Sequence, residues 1–95
     1  MTKDNGTRNE LLQALLTLRT EEEAAAFFDD LCTLKELQSL AQRLQVARLL
    51  RAGNTFTEIA ERTGASSATI ARVNRCLQAG PGGYKTVLDR LDGQE

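Results

Sequence analysis

The segment that most constrains the fold is residues 55–75, TFTEIAERTGASSATIARVNR. Ala60 supplies a small side chain where two helices would cross, and Gly64, four residues later, permits the positive φ angle of a tight turn. Ile70 and Val73 follow the glycine by six and nine residues and supply apolar contacts between the helices. This spacing predicts a helix-turn-helix, and an ordinary helical hairpin without a ligand is the alternative.

Four copies of the pattern Ser/Thr-x-x-Glu predict helix starts at Thr7, Thr20, Thr33 and Thr55. In this pattern the hydroxyl accepts a hydrogen bond from a first-turn amide, while the glutamate reaches back and favours the positive end of the helix dipole. Apolar residues at helical spacing follow each copy, and no segment alternates with the period of two that a half-buried strand shows. The predicted fold class is therefore all-α.

Six helices account for the pattern, with frayed ends at about residues 1–6 and 92–95. The third is predicted to be the longest, with leucines and alanines at spacings of three and four, and to end at Gly53, and the fourth ends at Gly64. Ser66 or Ser67 caps the fifth, which ends at Gly80, and Pro81 suits the first turn of the sixth. Three aromatic residues are expected in the core or at a dimer interface: Phe27, Phe28 and Tyr84.

Length and composition exclude several functions. A chain of 95 residues allows one domain. At that size about 60 to 65% of the unfolded surface is buried, so a dimer with a shared core would add burial that the single chain lacks. Histidine, the commonest general base, is absent, and Cys32 and Cys76 form no Cys-x-x-Cys pair. We therefore predict no enzyme activity, no metal site and a reduced cytoplasmic setting, with neither a membrane span nor an export signal.

The charge is unevenly distributed, although the net charge is only −1. Residues 1–32 carry three basic and seven acidic side chains, whereas residues 33–79 carry seven basic and three acidic ones. A basic central block is typical of a polyanion-binding surface and almost as often of a solvated mixed face.

If the helix-turn-helix binds double-stranded DNA, Ile70, Val73 and Leu77 face the core and the opposite side of their helix enters the major groove. Small side chains there let the backbone approach the bases, while arginines neutralise phosphate or pair with guanine. The predicted DNA-binding residues are Thr57, Ser66, Ser67, Ala68, Ala71, Arg72 and Arg75. Further arginines either contact the DNA backbone and add positive potential or are simply exposed: Arg43, Arg48, Arg51 and Arg62.

The chain from about Phe27 to Leu91 resembles the Trp-repressor-like superfamily, and within it the YerC/YecD branch of bacterial regulators. The resemblance lies in FFDDLCTLKELQSLAQRLQVARLLRAG and TGASSATIARVNRCL. It implies a six-helix protomer interlocked with an identical copy, whose two recognition helices read successive major grooves about 34 Å apart. The single domain, 1–95, would then comprise dimerisation helices in 7–53, the helix-turn-helix in 55–79 and a C-terminal helix in 81–91.

Trp repressors hold an amino-acid corepressor between two arginines and a threonine, and the resemblance places these groups at Arg43, Arg72 and Thr33. Val73 stands where the family has a glycine, and Cys76 where it has a serine. Because a valine fills space meant for an indole, we expect no tryptophan and no other fixed cofactor, while a different small-molecule effector stays open. Without an effector, Thr33 is simply a helix cap and Arg72 a phosphate contact.

Two functional hypotheses follow. The first is a homodimeric, sequence-specific DNA-binding transcription regulator that represses by blocking access to a promoter. The second, motivated by the near-neutral net charge, is a helical module that docks a transcription partner such as polymerase without binding DNA. Salt-sensitive binding to DNA separates the two.

Overall fold

The structure, a computed structural model, describes residues 3–93, with side chains from residue 6 onward. That part of the chain forms six helices and no strand, which confirms the all-α prediction. The helices are α1 (Lys3–Leu15), α2 (Glu21–Leu31), α3 (Leu34–Arg51), α4 (Phe56–Thr63), α5 (Ser67–Ala79) and α6 (Gly83–Leu91). None of these described helices is both long enough and apolar enough to cross a bilayer.

Helix α1 starts earlier than predicted. It begins at Lys3, so Thr7 lies inside the helix and the predicted start there is wrong. A capping pattern marks a start only where the preceding residues leave the helical conformation, and Gly6 alone opposes a helix only weakly. The predicted fraying is wrong for residues 3–6, because these residues belong to α1. Residues 92 and 93 form a turn, and the rest of the predicted frayed ends lie outside the described residues.

The other three capping patterns lie at helix starts, as predicted. Thr55 Oγ1 accepts from the Glu58 amide at 3.1 Å, and the Glu58 carboxylate accepts from the Thr55 amide at 2.8 Å. Thr33 and Glu36 form the same reciprocal pair, at 3.1 and 2.8 Å. At α2 the threonine caps the helix, but Glu23 accepts from the amide of Arg19 rather than from that of Thr20.

The described chain divides into two compact units, one ending at Leu37 and the other starting at Gln38. In the first unit, none of the side chains of residues 6–37 is buried. Its aromatic residues, Phe27 and Phe28, meet edge to face with ring centroids 5.9 Å apart and are half-buried. The first unit thus contains no hydrophobic core among its described residues.

The second unit has a core to which four helices contribute. Seven of its described side chains are buried: Val46 and Ala47 from α3, Ile59 from α4, Ala65 from the turn, Ile70 and Val73 from α5, and Leu88 from α6. The leucines that the sequence places at spacings of three and four along α3 are not all covered, because Leu34 is 73% and Leu40 42% exposed. Apolar residues occur on every side of α3, so its sequence does not define which side is covered. Tyr84 is half-buried and packs against this core.

The start of α6 also differs from the prediction. The N-cap of α6 is Gly82, whose φ of 92° lies in the left-handed region, so Pro81 precedes the helix instead of occupying its first turn. A proline two residues ahead of the first helical residue still ends the preceding segment, because it cannot continue α5. On the outer side of α6, Asp89 accepts from Lys85 Nζ at 2.7 Å and pairs with Arg51 of α3.

The ion pair of Asp89 makes the stability of the fold depend on pH only at acidic pH. The hydrogen bond from Lys85 and then that from Arg51 hold the pKa of Asp89 below its ordinary value. A carboxyl whose pKa is depressed by folding adds stability above its unfolded pKa of about 4 and loses it as the pH falls through the folded value. Near neutral pH, therefore, Asp89 remains ionised and joins α3 to α6.

Gly64 ends α4 in the left-handed region, with φ 73°, and its amide donates to Ala60 O at 2.9 Å. No atom lies within 4 Å of where a Cβ would stand, so only the backbone conformation opposes a side chain there.

Gly64→Ala should lower the free energy of unfolding by about 1 kcal/mol. The matched control, Gly83→Ala, lies at a helical position in open space and should raise it by about 0.5 kcal/mol. Urea denaturation of both variants checks the opposite signs, and equal effects would contradict this account.

Candidate nucleic-acid interface

The turn between α4 and α5 is held in place by side-chain and backbone hydrogen bonds. Thr63 Oγ1 donates to Ile59 O at 2.7 Å and accepts from the Ala65 amide at 3.1 Å. Gln42 Nε2, on α3, donates to Thr63 O at 3.2 Å and so fixes the turn to the preceding helix. Ala65 is buried at the turn itself. The two helices therefore meet at a defined angle, as a helix-turn-helix requires.

Helix α5 has one buried side and one exposed side. Ile70 and Val73 are 1% and 2% exposed, and Leu77 is half-buried against the same core. The opposite side carries most of the residues that the sequence assigned to DNA. The exposed ones are Ser66, Ser67, Ala68, Arg72 and Arg75, whereas Ala71 lies half-buried at the edge. The structure thus brings these six side chains together on one helix and its cap, and it places Thr57 exposed on α4.

The two serines at the start of α5 have different roles. Ser66 is the N-cap: its Oγ accepts from the Thr69 amide and donates to Thr69 Oγ1, both at 3.1 Å. Ser67 is the first helical residue and is exposed. The sequence left open which serine caps the helix, because both precede the apolar pattern at an acceptable spacing.

Replacing each serine by alanine should separate capping from surface roles. Ser66→Ala removes the acceptor for a first-turn amide, so we expect the free energy of unfolding to fall by about 1 kcal/mol. Ser67→Ala should change it by less than about 0.5 kcal/mol, as is usual for an exposed position. Thermal denaturation followed by circular dichroism measures both. An equal loss for the two variants would show that the cap is shared.

The exposed side of α5 is positively charged. Arg72 and Arg75 form no hydrogen bond or ion pair with the residues that the structure describes. No acidic residue occurs within α5, whereas α2, α3 and α4 each carry a glutamate in the first turn. The guanidinium groups are therefore open to an anionic ligand, and no acidic side chain of α5 opposes one at the positive end of the helix dipole.

The remaining arginines of the basic block differ in their contacts. Arg43 and Arg48 are exposed on α3, while Arg51 pairs with Asp89. Arg62 on α4 donates to Asn54 Oδ1 at 3.5 Å, a long contact. Sequence reasoning missed one exposed polar residue of α5, Gln78, which lies three residues after Arg75 and could have been found from that helical spacing.

The three residues that the family resemblance assigned to a corepressor lie in different parts of the structure. Thr33 caps α3 in the first unit, and Arg43 and Arg72 are exposed in the second. Val73 is buried in the core, so its side chain occupies space that a glycine would leave empty.

Cys76 is half-buried and lines an apolar cavity of about 440 Å³, together with Leu44, Pro81, Gly83, Tyr84 and Val87. Within residues 3–93 no group of three or more acidic or cysteine side chains is placed to hold a metal ion.

These features define a helix-turn-helix protein, with the second helix of the pair exposed along a basic side. The sequence model described as "Trp repressor protein" matches residues 7–92, and the chain belongs to the Trp repressor family, in its YerC branch. The protein YerC of Bacillus subtilis (strain 168), described as uncharacterized, is 54% identical over 87 residues, which are 92% of this chain and 84% of YerC.

Two solved structures have the same fold. A candidate Trp repressor from Staphylococcus aureus has a TM-score of 0.87 at 50% identity, over 92% of this chain and 87% of that one. A TrpR-like protein from Eubacterium eligens ATCC 27750 has a TM-score of 0.85 at 50% identity, over 92% and 90% of the two chains. The family resemblance and the six-helix all-α fold of the single chain are both confirmed.

Proposed function

We propose that this chain is a sequence-specific DNA-binding transcription regulator that acts as a homodimer through its helix-turn-helix. It binds double-stranded DNA with α5 in the major groove and represses by blocking access to a promoter. It has no enzymatic role, acts in the cytoplasm where chromosomal DNA is available, and does not require tryptophan. A different effector, held near Arg43 and Arg72, would adjust this binding.

One observation carries the proposal. Arg72 and Arg75 extend from the exposed side of α5 without a carboxylate on the same helix, while Ile70 and Val73 anchor the other side in the core. A rigid helix with unpaired guanidinium groups on its outer side suits the phosphates and base edges of a groove. Membership in the Trp repressor family supports the same function.

The homodimer is supported by the first unit. Its described side chains include no buried residue, and several large apolar ones are exposed: Leu11, Leu12, Leu16, Leu31 and Leu34. Helices of 11 and 13 residues are marginal in water without a covered apolar face. A second copy that covers these leucines would supply the missing core, and two-fold symmetry would place two α5 helices on successive major grooves.

An apolar surface on α6 favours the second function, docking of a protein partner without DNA. Val87 and Leu91 are 48% and 55% exposed there. Docking through these two side chains, however, gives no reason for the unpaired arginines of α5. DNA binding therefore accounts for more of the described surface than protein docking does.

The test is binding of the purified chain to random genomic DNA fragments, followed by fluorescence anisotropy between 50 and 200 mM salt, roughly the range over which phosphate contacts dominate. Complexes that weaken steeply with salt, together with a dimeric mass in light scattering, would support the proposal. Absence of any complex at the lowest salt would overturn it in favour of a protein partner. A monomeric mass at the concentration that binds DNA would overturn the homodimer alone.

A further inference from the structure

The exposed side of α5 carries two kinds of side chain, one nearer each end of the helix. Ala68, Ala71, Arg72 and Arg75 follow one another at spacings of three, one and three residues, which places them on a single side of a helix. Ala68 is exposed and Ala71 is half-buried at the edge of this side, and both carry only methyl groups. Arg72 and Arg75 are exposed and carry guanidinium groups without partners in the described chain. The side that faces the ligand thus has a methyl half, Ala68 and Ala71, and a cationic half, Arg72 and Arg75.

The cationic half points to a polyanion and accounts for affinity. An arginine side chain is long and flexible, so it reaches phosphates on either wall of the groove from the middle of α5. Such contacts are largely independent of sequence. Sequence choice must then come mainly from the groups nearest the base edges.

Those groups belong to the N-terminal part of the recognition helix, which enters the major groove most deeply in a helix-turn-helix. There, the Ser66 hydroxyl already caps the helix, so Ser67 has the exposed hydroxyl that the cap does not use. Ala68 and Ala71 can neither donate nor accept a hydrogen bond from their side chains. The feature of a base edge that an alanine methyl distinguishes is the 5-methyl group of thymine.

We propose that the methyl half of α5 selects DNA half-sites by packing Ala68 and Ala71 against thymine 5-methyl groups, while Arg72 and Arg75 supply sequence-independent attraction. This inference rests on the proposed function, because it assumes that α5 lies in the major groove. It names the feature of the DNA that the protein recognises, namely thymines at the positions facing the first two turns.

The experiment replaces thymine by deoxyuridine, one position at a time, in a duplex selected from a random library by the purified chain. Deoxyuridine keeps the base pair and the hydrogen-bonding groups and removes only the methyl. At one or two positions in each half-site we expect binding to weaken about fourfold per methyl, the effect of exposing one buried carbon group. Unchanged affinity at every thymine, or selected half-sites without thymine, would overturn the inference.

Two further arms make the result specific. At a sensitive position, 5-methylcytosine should bind about fourfold more tightly than cytosine, since only the methyl differs. In Ala68→Gly, with its fold checked by circular dichroism, the penalty for deoxyuridine should shrink at one position and persist elsewhere, as expected for a coupled pair. A penalty that is unchanged in both Ala68→Gly and Ala71→Gly would overturn the assignment.

The result also separates the two proposals. If the chain binds no DNA even at low salt, the proposed function fails. If it selects a sequence with salt-sensitive affinity but ignores the thymine methyl groups, the proposed function stands and only this inference fails.

Discussion

Replacing both Arg72 and Arg75 by alanine should weaken DNA binding by roughly 30-fold near 0.15 M salt, if each guanidinium neutralises one phosphate. Each such contact releases condensed counterions, so its loss also makes the plot of log affinity against log salt shallower, by about 1.8 for the pair. The two side chains are exposed, and the fold should therefore be unaffected. Fluorescence anisotropy on one selected duplex at four salt concentrations measures both quantities.

A matched control removes two positive charges elsewhere. Arg8 and Arg19 are exposed in the first unit, whose part of the chain is acidic overall, and their double alanine variant should keep the slope of the parent. If both double variants lose the same slope, the effect comes from net charge and not from α5. Lysine at positions 72 and 75 should restore most of the slope, because a phosphate contact needs a charge, whereas a guanine contact needs the planar fork of arginine.

Ile70→Ala should lower the free energy of unfolding by about 3 kcal/mol, the middle of the range for truncating a buried branched side chain. Ile70 is 1% exposed and lies among Ile59, Val73 and the other buried residues of the second unit, so the cavity left behind cannot be filled by solvent. For a small domain this is a large fraction of the total stability. Urea denaturation followed by circular dichroism, at a fixed protein concentration, measures the change.

The control for that variant is Gln78→Ala on the same helix. Gln78 is exposed, and the change should cost less than about 0.5 kcal/mol. At a temperature where Ile70→Ala remains folded, its DNA affinity should fall less than that of the double arginine variant, because the exposed side of α5 is unchanged. A loss for Ile70→Ala of under about 1 kcal/mol would mean that the core is more adaptable than its burial indicates.

The parts of the fold that the sequence predicted are those determined by neighbours in the chain. Thr33 and Thr55 cap helices through bonds to residues three positions ahead, and Gly53 and Gly64 take the left-handed conformation where turns require it. The helix-turn-helix is also determined by residues close together in the chain. Its contacts span only about twenty residues, and each requires a particular residue type at a fixed spacing.

The features that sequence reasoning missed depend on which surface is covered by a distant part of the chain. Leu34 and Leu40 have the spacing of core residues, yet only the later part of α3, at Val46 and Ala47, is buried. Likewise, the start of α1 ahead of Thr7 depends on whether the preceding residues stay helical, which a local pattern cannot decide.

For the candidate site, helical spacing was sufficient to place the polar side of α5, since Ile70 and Val73 fix the buried side and the rest follows from periodicity. It could not distinguish the cap Ser66 from the exposed Ser67, because that difference lies in backbone angles. Nor could it show that Arg51 is held by Asp89, 38 residues away, while Arg72 and Arg75 have no such partner.

The absence of any buried side chain in residues 6–37 has a consequence for how this half of the chain behaves on dilution. If a second copy covers the exposed leucines of α1 and α2, as proposed, these two helices should unfold when the copies dissociate, while the unit from Gln38 onward keeps its own core. Amide hydrogen exchange in α1 and α2 would then report the monomer fraction directly, and the number of copies in a cell would set how much of the regulator is fully formed.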